Sequence, residues 1–273
     1  MKRSERLVDL TNYLLENPYK LLQLGFFVAR YESSKSTISE DLEIVREVFK
    51  QRGIGILETF PGAAGGLTYR PATTTEVSRQ MAGELRQLML EENRILPGGY
   101  IYLSDILGHP DTLRKIGRII AHEYEETRVD AVMTIATKGV PIAQAVSEIL
   151  NVPFAVVRRD PKVTEGAMIN VNYMSGSSAK IENMTVSKRA FSVGQRVLIV
   201  DDFMKGGGTL NGMKALVEEL NCRVAGVSVF VEGPFHGERP IVDYRSVLRV
   251  DHIALESHTI DVQLGNIFEE KLF

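Results

Sequence analysis

The chain has 273 residues, enough to bury a full core and to hold a small domain joined to a medium one. Hydrophobic residues at 44% and charged residues at 25% are the balance of a soluble globular protein, and no apolar run approaches the roughly 18 residues that span a bilayer. The net charge of −3 supplies no overall attraction to nucleic acid, so a DNA-binding role would have to come from local arrangement.

The N-terminus, Met-Lys-Arg-Ser-Glu-Arg, carries charge without a following apolar stretch, which argues against a secretory signal. The single cysteine, Cys222, excludes an internal disulfide and fits a reducing compartment. A cytoplasmic protein is expected.

Residues 1–74 begin with helical spacing. Ser4 is placed to cap a helix over 5–16, with Leu7, Leu10, Leu14 and Leu15 on its apolar side and Asn17-Pro18 as a stop. A short second helix fits 22–31. After a polar turn, a third helix puts Ile38, Leu42, Val45 and Phe49 on one face, and Lys35, Ser36, Thr37, Ser39, Glu40, Glu43, Arg46 and Lys50 on the other. From Ile54 the period becomes extended: 54–60, a glycine-rich turn over 61–66, then 67–71, which together read as a β-hairpin.

Three helices followed by a hairpin is the order of a winged helix-turn-helix, whose third helix enters the major groove while the wing touches backbone or minor groove. Base and phosphate contacts are expected from Lys35, Ser36, Thr37 and Ser39, phosphate contacts from Arg46 and Lys50, and a weaker one from Arg70 in the wing. A protein-interaction or dimerisation module with a solvated helix face is the alternative reading of the same residues.

Residues 75–273 change character. Helices are expected over 77–93 and 111–126, with an apolar stretch at 100–103 between them. Buried strands then alternate with helices: strand 131–137, helix 141–150, strand 154–158, strand 197–200, helix 209–220 and strand 225–231. That rhythm implies an α/β unit with a central parallel sheet covered on both faces. The long segment 160–190 departs from it and reads as a mobile hairpin or lid.

Chemistry concentrates in residues 197–209, Val-Leu-Ile-Val-Asp-Asp-Phe-Met-Lys-Gly-Gly-Gly-Thr. Ligands of parallel sheets bind beyond the carboxyl ends of the strands, where Asp201 and Asp202 emerge. Gly206, Gly207 and Gly208 let backbone N–H groups approach an anion closely, and Thr209 opens the next helix. Carboxylates beside a phosphate cradle repel bare phosphate; they make sense against hydroxyls, as on a ribose. A glycine-rich turn without a ligand is the bland alternative.

This stretch resembles the ribose-phosphate signature of the type I phosphoribosyltransferases. The resemblance implies that Asp201 and Asp202 hold the ribose 2′- and 3′-hydroxyls of phosphoribosyl pyrophosphate, and that Lys205 through Thr209 hold its 5′-phosphate. Lys205-Gly206 departs from the family, which usually has a small residue and threonine there. Ala136, Thr137, Lys138 and Gly139, after a strand and before a helix, match the family's pyrophosphate loop in position and in its Lys-Gly ending. Arg158 and Lys162 resemble the basic cluster that some members direct at pyrophosphate, which needs cations. Tyr102 and Phe203 are candidates to stack a base, with packing as the alternative for each.

A winged helix ahead of such a domain resembles the bacterial purine operon repressors over essentially the whole chain, including Tyr-Met-Ser-Gly-Ser-Ser-Ala-Lys at 173–180. The resemblance implies a repressor of purine biosynthesis genes that binds a double-stranded DNA operator and is relieved by phosphoribosyl pyrophosphate, with no membrane partner. An active purine phosphoribosyltransferase carrying an extra domain is the alternative. A pocket gripping two phosphate groups and a ribose also suits a guanosine alarmone. No cofactor is required: the histidines, His109, His122, His236, His252 and His258, lack metal-ligand spacing, and Mg2+ enters only as a companion of the pyrophosphate. Repressors of this kind read paired half-sites, so a homodimer is expected.

Overall fold

The computed structural model describes residues 1–62, 65–91, 94–160, 166–174, 181–257 and 259–269. Contacts divide the chain into two units, Met1–Thr74 and Thr75–Phe273.

In the first unit, helix α1 (Arg3–Glu16) starts one turn's edge earlier than the Ser4 cap anticipates: the Glu5 carboxylate accepts the Lys2 backbone N–H at 3.0 Å and so carries the helix back to Arg3. Helix α2 (Leu24–Tyr31) starts later than expected, because Leu22 exchanges backbone hydrogen bonds with Leu67 at 2.8 and 2.9 Å instead of entering the helix. Helix α3 (Lys35–Arg52) is capped by the Ser34 hydroxyl, which accepts the Thr37 N–H at 3.2 Å, and closes on left-handed Gly53. Ile38, Leu42, Val45 and Phe49 are buried as their spacing predicts, with Leu10, Leu14, Phe27, Tyr31, Leu57, Leu67 and Tyr69 around them. Strands β1 (Gly55–Phe60) and β2 (Gly66–Pro71) pair antiparallel as the hairpin.

The second unit opens with helix α4 (Thr75–Met89), a small hairpin of β3 (Ile95–Leu96) and β4 (Tyr100–Ile101), helix α5 (Ser104–Gly108) and helix α6 (Pro110–Glu123). There follow β5 (Ala131–Ile135), α7 (Gly139–Leu150), β6 (Phe154–Val157), the hairpin β7 (Met168–Met174) with β8 (Ile181–Ser187), β9 (Arg196–Met204), α8 (Gly208–Glu219), β10 (Arg223–Glu232), β11 (Arg245–Ala254) and β12 (Thr259–Leu264). Six strands form one sheet in the order β12-β11-β10-β9-β5-β6, parallel except for β12.

Strand alternation assigns the two faces. Val197 and Ile199 of β9 join Ala131 and Met133 of β5 under α8 and the β7–β8 hairpin; Leu198 and Val200 join Val132 under α4, α6 and α7. Both faces are covered, which is why these strands read as unbroken apolar runs. From β5 the chain crosses through α7 to β6 on one side, and from β9 through α8 to β10 on the other. The sheet therefore switches direction between β5 and β9, and the loops leaving those neighbouring strands lie side by side.

Candidate functional site

Strand β9 runs further than the apolar run alone suggests. Pairing with β10 continues through Asp201↔Val229 and Phe203↔Val231 to Met204↔Glu232, so the acidic pair lies inside the strand rather than in the loop after it. Asp201 is only 5% exposed, and its Oδ1 accepts the Asp202 backbone N–H at 2.9 Å. Burial pushes the Asp201 carboxyl well above the usual carboxylate range, and the charge of Asp202 adds to this. Burial also raises Asp202, against which its hydrogen bond with Asp201 and the charge of Lys138 act. Of the pair, Asp201 is the one pushed up more strongly, by burial first and by the Asp202 charge second.

Beyond Met204, Lys205 is exposed, Gly206, Gly207 and Gly208 are buried, and Thr209 is half-buried in the first turn of α8. Gly207 caps that helix in the left-handed conformation, φ 79°, and offers no side-chain acceptor. The amides of the first turn of α8 thus lack both an intrahelical partner and a capping side chain, an arrangement that binds anions.

The loop 136–139 approaches from β5. Its Ala136–Thr137 peptide is cis, Thr137 and Lys138 are exposed, and Gly139 is buried as the first residue of α7. Gly139 fits closely: a Cβ there would lie 2.2 Å from Thr134 Oγ1 and 2.9 Å from Asp201 Oδ1. Thr134 Oγ1 is buried with no hydrogen-bond partner, a polar atom without an acceptor at the base of this junction. The structure therefore brings together Asp201, Asp202, the glycine turn and the Lys138-Gly139 loop.

Other sequence candidates fall differently. Arg158 pairs its backbone with Thr185 of β8 at 2.9 and 2.7 Å. Its neighbour Arg159, not singled out from sequence, is the arginine whose charge reaches Asp201, and it pairs with Glu182 of β8 at 3.2 Å. Phe203 is half-buried, its Cζ 2.4 Å from where a Gly233 side chain would begin, so it packs at the rim of the sheet. Tyr102 is 42% exposed, and its backbone exchanges contacts with Arg94, whose buried guanidinium also grips Asp105 at 2.9 Å. Within the 160–190 segment, β7 and β8 pair antiparallel in a sheet of their own, seated on α8 through Tyr173 against Gly212. Lys162 and residues 175–180 lie outside the described residues.

In the helical unit, Lys35, Ser36 and Ser39 are exposed and Thr37 half-buried at the start of α3. Ser36 and Thr37 hydroxyls bond the Ser34 hydroxyl at 2.8 and 2.9 Å, and the Ser39 hydroxyl donates to Lys35 O at 2.9 Å. Lys50 is exposed. Arg46 is engaged within the unit, bonding Glu43, Leu57 O at 3.4 Å and Thr59 Oγ1 at 2.8 Å. Arg70 pairs with Glu58 at 3.1 Å. Sequence spacing also missed Asp41, a fully buried carboxylate on α3 that accepts from Arg6 at 2.5 Å and from Arg3 at 3.0 Å.

Comparison with known proteins accounts for both units. Residues 2–71 match the family model described as "Bacterial purine repressor, N-terminal", and residues 103–264 match "Phosphoribosyl transferase domain". The chain is 64% identical over 271 residues, 99% of its length and 100% of the relative's, to the "Purine biosynthesis transcriptional activator PurR" of Lactococcus lactis subsp. lactis strain IL1403. It is 50% identical over 97% of its length and 93% of the relative's to the "Purine biosynthesis transcriptional repressor PurR" of Bacillus subtilis strain 168. Among solved structures, an adenine phosphoribosyltransferase from Thermoanaerobacter pseudethanolicus superposes on 55% of the chain and 87% of its own length, with a TM-score of 0.50 and 24% identity, a likeness of fold alone. Identity of this extent over nearly the full length of both chains means that the protein belongs to the PurR family of bacterial purine biosynthesis transcriptional regulators.

Proposed function

We propose that the protein regulates purine biosynthesis genes by binding operator DNA through α3, and that its second unit senses phosphoribosyl pyrophosphate without turning it over. The observation that carries the reading is the meeting, at the β5/β9 switch point, of a buried acidic pair, an uncapped glycine turn and the Lys138-Gly139 loop. Asp201 and Asp202 suit ribose hydroxyls, the turn from Lys205 to Thr209 suits the 5′-phosphate, and Lys138 and the arginines after β6 suit pyrophosphate, with Mg2+ arriving on the ligand. Lys35, Ser36, Thr37, Ser39 and Lys50 meet DNA, the chain acting as a homodimer on paired half-sites. A guanosine alarmone competes for the same phosphate positions.

Effector binding lowers DNA affinity and so relieves repression; a ligand does this only by preferring the DNA-free state or by competing for a shared surface. Titration of a labelled purine-operon promoter fragment with the protein, at zero and saturating phosphoribosyl pyrophosphate, tests this. Affinity falls with effector; unchanged affinity at saturation overturns it. The 64% identical relative named an activator favours a second reading, in which the effector leaves DNA affinity intact and raises transcription from the same fragment. Pyrophosphate release on adding free purine bases would mark a working transferase instead, and displacement of the bound effector by the alarmone tests the competition.

A further inference from the structure

The glycine turn has little in its own sequence to hold it. Gly206, Gly207 and Gly208 have no side chains to pack, and glycine loses more backbone freedom on ordering than any other residue. The restraint comes from a segment distant in sequence. Arg239, 18% exposed at its side chain, donates through Nε to Lys205 O at 3.0 Å, through Nη2 to Gly233 O at 2.9 Å, and through Nη1 to Tyr244 Oη at 2.7 Å and Glu232 Oε1 at 2.5 Å. Glu232 is itself fixed by the Tyr244 hydroxyl at 2.7 Å and the Ser246 hydroxyl at 3.1 Å, and Gly233 N–H donates to Met204 O at 2.8 Å. Ile241 lies under the turn, its Cγ2 2.8 Å from where a Gly207 Cβ would stand.

Because a trans peptide is planar, its C=O and N–H point in opposite directions. Holding the Lys205 carbonyl on Arg239 therefore aims the Gly206 N–H away from Arg239 and fixes where the donors of the turn begin. Glu232 neutralises the Arg239 charge locally, so the contribution is orientation rather than attraction of phosphate.

We propose that Arg239, braced by Glu232 and Tyr244, is the positioning residue of the phosphate turn: it sets the donor geometry that grips a sugar 5′-phosphate, and leaves the pyrophosphate end of the pocket unaffected. The proposal rests on the effector reading above. Lysine cannot replace it, since a single ammonium lacks the forked donors that reach Lys205, Gly233 and Glu232 together.

Calorimetric titration of the full chain with ribose 5-phosphate and, separately, with inorganic pyrophosphate tests it on wild type, Arg239→Ala and Arg239→Lys. Arg239→Ala weakens ribose 5-phosphate by about tenfold or more, the scale of one charged hydrogen bond, with pyrophosphate unchanged. Arg239→Lys keeps a cation beside Glu232 and thus the fold, judged by an unfolding midpoint close to wild type, yet shows the same selective loss. Low millimolar guanidinium restores part of the ribose 5-phosphate affinity of Arg239→Ala. Equal loss of both probes, or full ribose 5-phosphate affinity in the folded lysine variant, overturns the proposal. Wild type binding neither probe overturns the effector reading itself, and this proposal with it.

Discussion

Asp201→Asn is expected to stabilise the ligand-free protein while weakening effector binding. Asp201 is 5% exposed, faces a second carboxylate, and is pushed well above the ordinary carboxylate range by burial first and Asp202 second. The sign follows from linkage. A carboxyl whose folded pKa is raised holds its proton more tightly when folded, so its contribution is fully present below the unfolded value of about 3.9 and is lost as pH rises through the folded pKa. Over the interval in which unfolded Asp201 is ionised and folded Asp201 is not, wild type loses about 1.4 kcal/mol of stability per pH unit. Asparagine does not titrate and loses none through this position. For a unit of this size each kcal/mol moves the midpoint by about 2–4 °C. Thermal unfolding of both proteins without ligand, from pH 5 to 8, measures the gap. It should favour Asp201→Asn and widen with pH until the raised pKa is passed. A gap independent of pH, or a variant less stable than wild type at pH 8, refutes the reasoning. The variant's midpoint should also respond less to a given concentration of phosphoribosyl pyrophosphate, as expected where a binding site is kept at the expense of stability.

Three other substitutions follow from the packing. Gly139→Ala places a methyl 2.2 Å from Thr134 Oγ1 and 2.9 Å from Asp201 Oδ1, so one of them must move; a loss of about 1–3 kcal/mol in denaturant titration should accompany loss of effector-induced stabilisation. Asp41→Ala leaves Arg6, a buried cation, without its 2.5 Å partner beneath α3 and should destabilise the helical unit by about 3–5 kcal/mol, read by circular dichroism melting. Lys35→Ala keeps the fold, since Lys35 is exposed at the first turn of α3, but should weaken promoter binding several-fold and lower the slope of log affinity against log salt by about one.

How legible each feature was depended on whether its cause is local. The alternation of apolar strands with helices, the third helix of the first unit and the glycine turn announce themselves within a few residues, because burial on both sheet faces, one apolar helical face and the need for close backbone approach each impose a short-range pattern. Strand ends were less legible: nothing in Asp201-Asp202-Phe203 reads as strand, and only the partner β10 carries the ladder to Met204. The same holds for Leu22, an apolar residue that joins Leu67 of the wing instead of α2. Long-range polar pairs were invisible. Asp41 looks like one more exposed acid until Arg6 is placed over it, and Arg239 looks like a loop arginine until the fold brings it to Lys205, 34 positions away in sequence. Arg158 and Arg159 cannot be told apart from sequence, because neighbouring residues beyond a strand are distinguished only once β8 selects which one pairs with Glu182.

The state of Asp201 makes one further prediction about effector binding. In the ligand-free pocket burial first and Asp202 second hold this carboxyl's proton to a higher pH than usual. A ribose hydroxyl donates best to an ionised carboxylate, and its hydrogen bond favours the charged form. Binding should then expel a proton while the pH lies below the raised pKa, and affinity should climb with pH across that interval and level off above it. The ligand's own phosphates also exchange protons, so the quantity to measure is a difference. Binding heats in buffers of differing ionisation enthalpy give the protons released by wild type, and the same titration on Asp201→Asn, with its weaker affinity measured at higher concentration, gives those belonging to the ligand. Wild type should release up to about one proton more than the variant. Equal release would mean that Asp201 keeps its proton in the complex and donates it to a ligand oxygen, which assigns the acceptor role to Asp202 alone.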